Sequence, residues 1–382
     1  MSVWDEVVGQ ERQIGPLRAA VDDPSWMTHA WLVTGPPGSG RSYAGRAFAA
    51  ALQCERGGCG ECRECTTALS GAHADVTLVA TEKVTIAIDE VRDLISLAAT
   101  SPSGGRWRVI VVEDADRMTE RTSNVLLKSI EEPPARTVWV LCAPSPQDVA
   151  VTIRSRCRIV NLRTPDPDDV ARLLIERDGT DPALALECAL AAQSHIGVAR
   201  RLARDPEARA RREQVLALAT DIRGVGDAVF AAADLVEVAD ADAKAATEER
   251  DAEEKAQLMA TLGVDDGGRM PPALRAQVRQ LEEDQKRRAT RHKRDVLDRA
   301  ITDLMSLYRD VAVVQTGSSV RLVNLAHEGH IRDIAGRTDL ADTMRCLDAL
   351  GTARERLAGN VAPLLALEAM ALELRPRTPA RG

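Results

Sequence analysis

A glycine-rich stretch decides the fold of this sequence: Gly35-Pro36-Pro37-Gly38-Ser39-Gly40-Arg41-Ser42. It directly follows the apolar run 31–34 and opens a helical pattern, which is the context that a phosphate-binding loop needs. Glycines let backbone N–H groups converge on phosphate oxygens, and the N-terminus of the helix adds a favourable dipole. The stretch therefore predicts a phosphate loop made of these eight residues. A glycine-rich turn without a ligand is the alternative.

Arg41 departs from the usual form of this loop, G-x-x-x-x-G-K-[ST], because it stands where lysine is expected. The positive charge is kept, but a planar head with five donors replaces a compact ammonium. We therefore expect the loop to hold ATP or ADP with magnesium and to hydrolyse it poorly.

Four further apolar runs follow the phosphate loop, at 75–79, 108–112, 138–141 and 158–162. Short runs of this kind, rich in Val and Ile and flanked by turn signals, are typical of buried parallel strands. Helical patterns separate them; the apolar positions 88, 91, 95 and 98, for example, share one helix face. The first 160 residues therefore predict an α/β domain with a parallel sheet.

Two acidic residues, Glu113 and Asp114, follow the run 108–112. In phosphate-loop hydrolases the common order is Asp and then Glu, where the Asp serves the magnesium ion and the Glu orients the attacking water. Here the order is inverted. Together with Arg41, this inversion predicts a nucleotide site that does not turn over.

Four cysteines, Cys54, Cys59, Cys62 and Cys65, lie in a twelve-residue window that also contains three glycines. Four thiolates at these spacings fit a closed, tetrahedral, structural zinc site. The first gap and the lack of a following proline count against an iron–sulfur cluster. Unligated surface thiols are the alternative. The nearby His73 is a possible ligand, although its setting favours a turn residue.

Composition excludes several classes of protein. The net charge is −8 and only 2% of the residues are aromatic, which counts against a protein that binds nucleic acid alone, through its whole surface or by base stacking. No apolar run reaches the length of a membrane span, and the first residues lack the pattern of a signal peptide. We therefore expect a cytoplasmic protein, whose eight cysteines do not form disulfides.

The rest of the chain is predicted to be helical. A proline-rich connector at 164–169 gives a first boundary, and a second boundary falls near residue 211. Within the C-terminal part, 240–299 is dense in charge and predicts two polar helices joined by a loop at 263–272. Six Lys or Arg residues in 286–294 indicate either a solvated helix face or a patch that contacts phosphates.

Three further motifs, taken with the phosphate loop and the cysteines, carry a resemblance. They are Arg117-Met118-Thr119, the run from Asn124 to Glu131-Glu132-Pro133-Pro134, and Thr152-Ile153-Arg154-Ser155-Arg156-Cys157. In this order they resemble the bacterial clamp-loader subunits of DNA polymerase III. The resemblance covers residues 3–205 strongly and the helical C-terminal region weakly.

The resemblance implies an AAA+ base domain at residues 1–163, a helical lid at 164–210 and a helical collar at 211–382. It also implies a five-subunit ring that loads the sliding clamp onto primed DNA. The implied partners are the gamma/tau and delta subunits, with DNA contacted through the complex. The collar assignment rests on position and helicity alone.

Members of this family that carry the module are either motors, which hydrolyse ATP, or a stator, which does not. Four positions of this sequence depart from the motor: Arg41, the pair Glu113-Asp114, Ala143-Pro144 where the motor carries sensing threonines, and Gly197 where it carries a sensing arginine. Each departure removes a group that would contact the γ-phosphate or the attacking water. The resemblance therefore favours the stator.

Arg156 is kept in spite of these departures. In the family this arginine acts in trans, on the nucleotide of the neighbouring subunit. A surface salt bridge is the alternative for both Arg154 and Arg156, and for Arg154 it is the favoured interpretation. Two rival functions stay open: a working ATP-hydrolysing motor, and a zinc-containing nucleic-acid-binding module that uses the phosphate-loop domain as a scaffold.

Overall fold

The computed structural model describes residues 2–81, 85–104, 106–261 and 272–375. The chain forms two compact units, Met1–Arg204 and Asp205–Gly382. The first unit contains the sheet and the phosphate loop, and the second is helical throughout its described elements.

A five-stranded parallel sheet forms the centre of the first unit, with strand order β2-β3-β4-β1-β5. All five strands lie where the apolar runs predict them: β1 (Ala30–Thr34), β2 (Val76–Val79), β3 (Arg108–Val112), β4 (Thr137–Ala143) and β5 (Arg158–Asn161). Every residue of β1, β3 and β4 is buried, which explains why their sequences are continuous apolar runs. The predicted α/β class, with a parallel sheet and a helical C-terminal part, is confirmed.

Helices cover both faces of this sheet. They are α1 (Gly15–Asp22), α2 (Arg41–Gln53), α3 (Arg63–Ser70), α4 (Ile88–Ala98), α5 (Glu120–Glu131) and α6 (Val151–Arg154). Alternate residues of each strand point to opposite faces. Val109 and Val111 therefore join the core under α2, whereas Ile110 joins the core that contains Leu126 and Ile130 of α5.

Three helices complete the first unit after the predicted connector: α7 (Pro167–Asp178), α8 (Pro182–Ala191) and α9 (Ile196–Arg204). Both α7 and α8 begin with proline, whose missing N–H is not needed in the first turn. Arg200 of α9 pairs with Asp178 of α7 and with Glu6 near the start of the chain, each at 3.0 Å. These ion pairs tie the helices to the rest of the unit.

Among its described residues, the second unit contains six α-helices: α10 (Pro206–Asp221), α11 (Val225–Thr261), α12 (Pro272–Gln315), α13 (Glu328–Arg337), α14 (Leu340–Ala358) and α15 (Pro363–Leu374). Its main core contains small and aliphatic side chains of α11, α12, α14 and α15. The predicted lid boundary at residue 210 falls inside α10, and the first compact unit ends at Arg204.

The predicted pair of polar helices corresponds to parts of α11 and α12; nearly all of the loop predicted between them lies outside the described residues. Ion pairs link the two helices: Lys255 with Glu282 at 2.9 Å, Arg288 with Glu254 at 2.8 Å and Lys293 with Asp240 at 2.6 Å. Because Arg288 and Lys293 belong to the basic cluster 286–294, these pairs favour a solvated, ion-paired helix face over a patch that contacts phosphates.

Within the described ranges, no helix combines the length and the apolarity that crossing a membrane would require.

A buried carboxylate holds the segment after α12 in place, and its removal should destabilise the second unit. Asp310 is fully buried and accepts hydrogen bonds from the Val323 N–H, at 3.0 Å, and from the Asn324 backbone and amide N–H groups, at 2.8 and 2.9 Å. Asp310→Ala would leave these donors without an acceptor. We expect a loss of roughly 3–5 kcal/mol in the free energy of unfolding, measured by denaturant titration.

The matched control is Asp333→Ala, which removes an exposed carboxylate paired with Arg337 on the same helix. It should cost at most about 1 kcal/mol. Equal losses for the two variants would contradict the role assigned to Asp310.

Candidate functional site

The phosphate loop joins the end of β1 to the start of α2, as the sequence predicts. Gly38 and Gly40 have φ values of +83° and +89°, which only glycine adopts without strain, and Gly40 is the N-cap residue of α2. The loop is pinned by the Gly35 N–H, which donates to the Pro144 carbonyl at 3.2 Å, and by the Gln10 amide, which donates to the Ser39 carbonyl at 3.3 Å.

Arg41 turns its head back into the loop. Its Nη1 donates to the Gly35 carbonyl at 2.5 Å, and its Nε is buried with no hydrogen-bond partner among the described residues. The Ser39 hydroxyl is likewise buried and lacks a partner within the described part of the chain. The cation that a phosphate would need is therefore engaged with the backbone of its own loop.

The residue before α9 packs against the same loop. A Cβ atom added at Gly38 would lie 2.5 Å from the His195 Cα and 2.7 Å from its Cβ, so only glycine fits at this position. Ile196, the first residue of α9, lies near Gly40. The predicted sensing position, Gly197, belongs to the same turn and carries no side chain that could reach a phosphate.

Neither acid of the predicted pair is free for a metal ion. Glu113 pairs with Arg46 of α2, with 2.5 Å between Oε1 and Nε. Asp114 accepts a hydrogen bond from the Thr81 N–H at 3.2 Å and lies 3.6 Å from Arg117. Both carboxylates thus have protein partners at the edge of the sheet, where the sequence predicts that they would face magnesium and the attacking water.

The other predicted sensing position, Ala143-Pro144, lies beside the loop. Ala143 is the last residue of β4 and pairs in register with Thr34, the residue before Gly35. A sensing hydroxyl at this position would lie beside the phosphate loop, but alanine and proline have no hydroxyl. Next to it, burial raises the pKa of the Cys142 thiol to about 12, so this cysteine is not a nucleophile.

The four predicted metal ligands come together at the other end of α2. Cys54 directly follows α2, Cys62 is the N-cap residue of α3, and Cys65 lies in the first turn of α3. All four sulfur atoms lie within 4.8 Å of one another. Cys54 and Cys65 are buried and the other two are half-buried, so the cluster is closed on the protein side. The group is able to hold a metal ion.

Two of the sulfur separations are close to those of a tetrahedral metal site. A Zn–S bond of about 2.3 Å gives an edge of about 3.8 Å between sulfur atoms. Cys54 Sγ lies 3.7 Å from Cys59 Sγ and 3.8 Å from Cys62 Sγ. Backbone N–H groups also point at the sulfurs: those of Cys59 and Cys65 donate to Cys54 and Cys62, each at 3.4 Å. Such N–H groups stabilise thiolates and suit a thiolate-bound cation.

The backbone N–H groups of Glu61 and Cys62 are the main donors to the Cys59 sulfur, and they lower the pKa of this thiol to about 6. The Arg56 guanidinium also contacts this sulfur at 3.1 Å. His73 is not part of the group, because its Nε2 lies 2.6 Å from Glu64 and its Nδ1 accepts the Asp75 N–H at 2.9 Å. It is the turn residue that its setting favoured.

Arg156 lies at the surface, two residues after the short helix α6, and its side chain is 38% exposed. Arg154, by contrast, donates to the Pro146 carbonyl at 3.0 Å and so fastens the turn after β4. The two arginines of the motif therefore have different surroundings, and Arg156 is the more accessible.

Several residues of this site were not indicated by the sequence. Arg46, Thr81 and Gln10 hold the acids and the loop, and His195 fills the space over Gly38. Arg46 lies five residues after Arg41 on α2, a spacing that does not place the two on one helix face, so the sequence carried no signal for its role. The others come from distant parts of the chain.

Comparisons with known proteins show similarity to DNA polymerase III subunits over the first part of the chain. Residues 9–166 match a family described as "DNA polymerase III, delta subunit". The chain is 37% identical over 171 residues to "DNA polymerase III subunit delta'" of Pseudomonas aeruginosa, covering 43% of this chain and 52% of that protein. It is 33% identical over 174 residues to "DNA polymerase III subunit gamma/tau" of Mycobacterium tuberculosis, covering 44% of this chain and 30% of that protein.

The chain thus spans about half or less of the length of these relatives. Among solved structures, a DNA polymerase III gamma subunit-related protein from Thermotoga maritima is 16% identical, with a TM-score of 0.45, 95% of this chain and 98% of that chain being covered. Through residues 9–166, the chain is similar to subunits of the DNA polymerase III clamp loader, both delta' and gamma/tau.

Proposed function

We propose that this chain is the delta prime subunit of the clamp loader, a stator that helps to load the sliding clamp onto primed DNA without hydrolysing ATP itself. Its partners are the gamma/tau and delta subunits, and it reaches DNA through the complex. Bacterial DNA replication takes place in the cytoplasm, so the proposal locates the chain there. The match to the delta subunit family and the 37% identity to a delta' protein support a clamp-loader role, which the 33% identity to a gamma/tau protein supports as well.

The observation that carries the proposal is the hydrogen bond from Arg41 to the Gly35 carbonyl. In motor-type loops the corresponding lysine reaches the β- and γ-phosphates as a compact charge. Here the guanidinium is hydrogen-bonded to the backbone of the loop itself. The engaged acids Glu113 and Asp114 add to this, because hydrolysis needs one carboxylate for magnesium and a second group to orient water.

The fold is one that binds nucleotides, and the proposal includes ATP or ADP with magnesium that is held but not turned over. In the proposed loop 35–42, the backbone N–H groups of Gly38, Gly40, Arg41 and Ser42 would contact the phosphates, since Pro36 and Pro37 have no N–H. The Ser39 hydroxyl is buried and has no hydrogen-bond partner among the described residues. Arg41, Glu113 and Asp114 would have to leave their present partners first. We therefore expect binding to be weak.

The domain assignment follows the same proposal. Residues 1–163 would be the AAA+ base, 164–210 the lid and 211–382 the collar through which the ring is held together. The polar helices at 240–299 enlarge the collar. Arg156 would act on the nucleotide of a neighbouring motor subunit, and its exposure is the observation that supports this.

The cysteine cluster is proposed to hold one structural zinc ion. Four sulfur ligands leave no open position, so the ion would stabilise the loop between α2 and α3 and take no part in chemistry. The N–H of Val3 donates to the Gly58 carbonyl at 2.9 Å, so the cluster also fastens the start of the chain.

The purified chain should hydrolyse ATP negligibly. Because the acids and the sensing positions are off-pattern as well, Arg41→Lys alone should not restore turnover. The measurement is steady-state ATP hydrolysis by the isolated wild type and by the variant, with a gamma/tau homologue as the positive control.

A wild-type rate in the ordinary enzyme range, about 1 per second or more, would overturn the stator proposal and favour the motor. A chain that does not hydrolyse ATP but binds DNA by itself, in a salt-dependent manner, would instead support the nucleic-acid-binding module.

A further inference from the structure

Arg156 is held on two sides at the surface. Its Nη2 lies 2.5 Å from Oε1 of Glu131, the last residue of α5. Its Nη1 donates to the Thr152 carbonyl at 2.8 Å and to the Ser155 hydroxyl at 3.2 Å. The Glu131 side chain is 43% exposed, so the pair lies in contact with solvent. A long, flexible side chain is thereby kept in one orientation.

The backbones that carry this pair are fixed by the core. Ile130 and Ile153 are both fully buried, and they belong to the same cluster of apolar side chains under the sheet. Glu131 directly follows Ile130, and Arg156 lies three residues after Ile153. The two charged groups therefore bridge two anchored segments, the end of α5 and the segment that follows α6.

The helix that carries Glu131 does not stabilise its negative charge. The C-terminal end of a helix carries partial negative charge, which disfavours a carboxylate in the last turn. Glu132, the next residue, is exposed and has no ion-pair partner among the described residues. The contact with Arg156 is thus the specific feature that distinguishes the first of these two adjacent acids from the second.

We propose that Glu131 is a positioning residue for Arg156, an inference that rests on the proposed trans-acting role of this arginine. An arginine has five N–H donors, and the three contacts described leave two of them for the oxygens of a neighbour's phosphate. Holding the guanidinium beforehand removes part of the entropy that would otherwise be lost when it engages the phosphate. Glu131 itself touches neither nucleotide nor phosphate.

The test uses a complex reconstituted from the full chain with its gamma/tau and delta partners, in which DNA- and clamp-stimulated ATP hydrolysis is measured. The relevant quantity is the rate that depends on Arg156, the difference between wild type and Arg156→Ala. We expect Glu131→Ala to lower this rate about fivefold, with the KM for ATP unchanged. An exposed ion pair contributes at most about 1 kcal/mol, which corresponds to about fivefold in rate. Glu131→Gln should fall between Glu131→Ala and wild type.

Glu132→Ala is the matched control and should leave the rate at the wild-type value. The double variant Glu131→Ala/Arg156→Ala should equal Arg156→Ala alone, an outcome that a general structural effect would not produce. A wild-type or faster rate for Glu131→Ala, or a further loss in the double variant, would overturn the positioning role. If Arg156→Ala itself has no effect, the proposed trans-acting function fails, and this outcome is distinguishable from the failure of Glu131 alone.

Discussion

Arg156→Ala should assemble into the clamp-loader complex normally and lose most ATP hydrolysis at the one site it is proposed to complete. Arginine fingers contribute roughly 10³–10⁵ in rate in other nucleotide hydrolases, because a fixed guanidinium neutralises charge that develops on the γ-phosphoryl group. A ring with several motor sites should lose less in total, since only the site next to this subunit is affected. DNA- and clamp-stimulated ATPase and clamp loading by the reconstituted complex are the measurements.

Arg154→Ala is the control, because this side chain bonds the Pro146 carbonyl of its own chain. It should reduce thermal stability slightly and leave the stimulated rate close to that of wild type. Clamp loading by Arg156→Ala at the wild-type rate would mean that the Ser155-Arg156-Cys157 motif is structural only.

Removal of the metal from the cysteine cluster is expected to have the second large effect. The purified chain should contain one zinc ion, and Cys59→Ser or Cys62→Ser should lower the metal content and destabilise the first unit. Structural zinc contributes on the order of 10 kcal/mol in small domains, although a domain with its own core should lose less than that. Metal analysis and the thermal unfolding of the first unit measure the two effects.

Cys157→Ser serves as the control, because this thiol lies outside the cluster and burial raises its pKa to about 12. It should leave the zinc content at one ion per chain. A native wild-type chain with no zinc and four freely titrating thiols would end the metal proposal. Loss of ATPase stimulation with full stability in Cys59→Ser would contradict a purely structural role.

Much of the fold was predictable because its signals are local. Each strand lies on an apolar run, and α5 ends at Glu131, directly before Glu132-Pro133-Pro134. The cysteine cluster was also predictable, since short spacings with glycines between them confine the four sulfurs to one place. The domain bounds and the roles of the site residues stay predictions.

The direction of side chains was not predictable. The sequence indicates that Arg41 is unusual, but it does not show that the head turns toward Gly35. The partner of Glu113 is 67 residues away and depends on how α2 crosses the sheet. The contact of Gly38 with His195 likewise depends on the packing of α9 on the loop. Such pairings are set by tertiary packing, which periodicity does not encode.

Helix α2 links two chemically different regions of the molecule. It begins at Arg41, the seventh residue of the phosphate loop, and ends at Gln53, next to the first cysteine of the cluster. Thirteen helical residues form a stiff rod of about 20 Å, and most of this one is buried. We therefore expect a displacement of Cys54, on oxidation or metal loss, to shift α2 as a unit and to reach Arg41. Oxidation of the cysteines at the C-terminal end of α2 would then change the conformation of the phosphate loop at its N-terminal end.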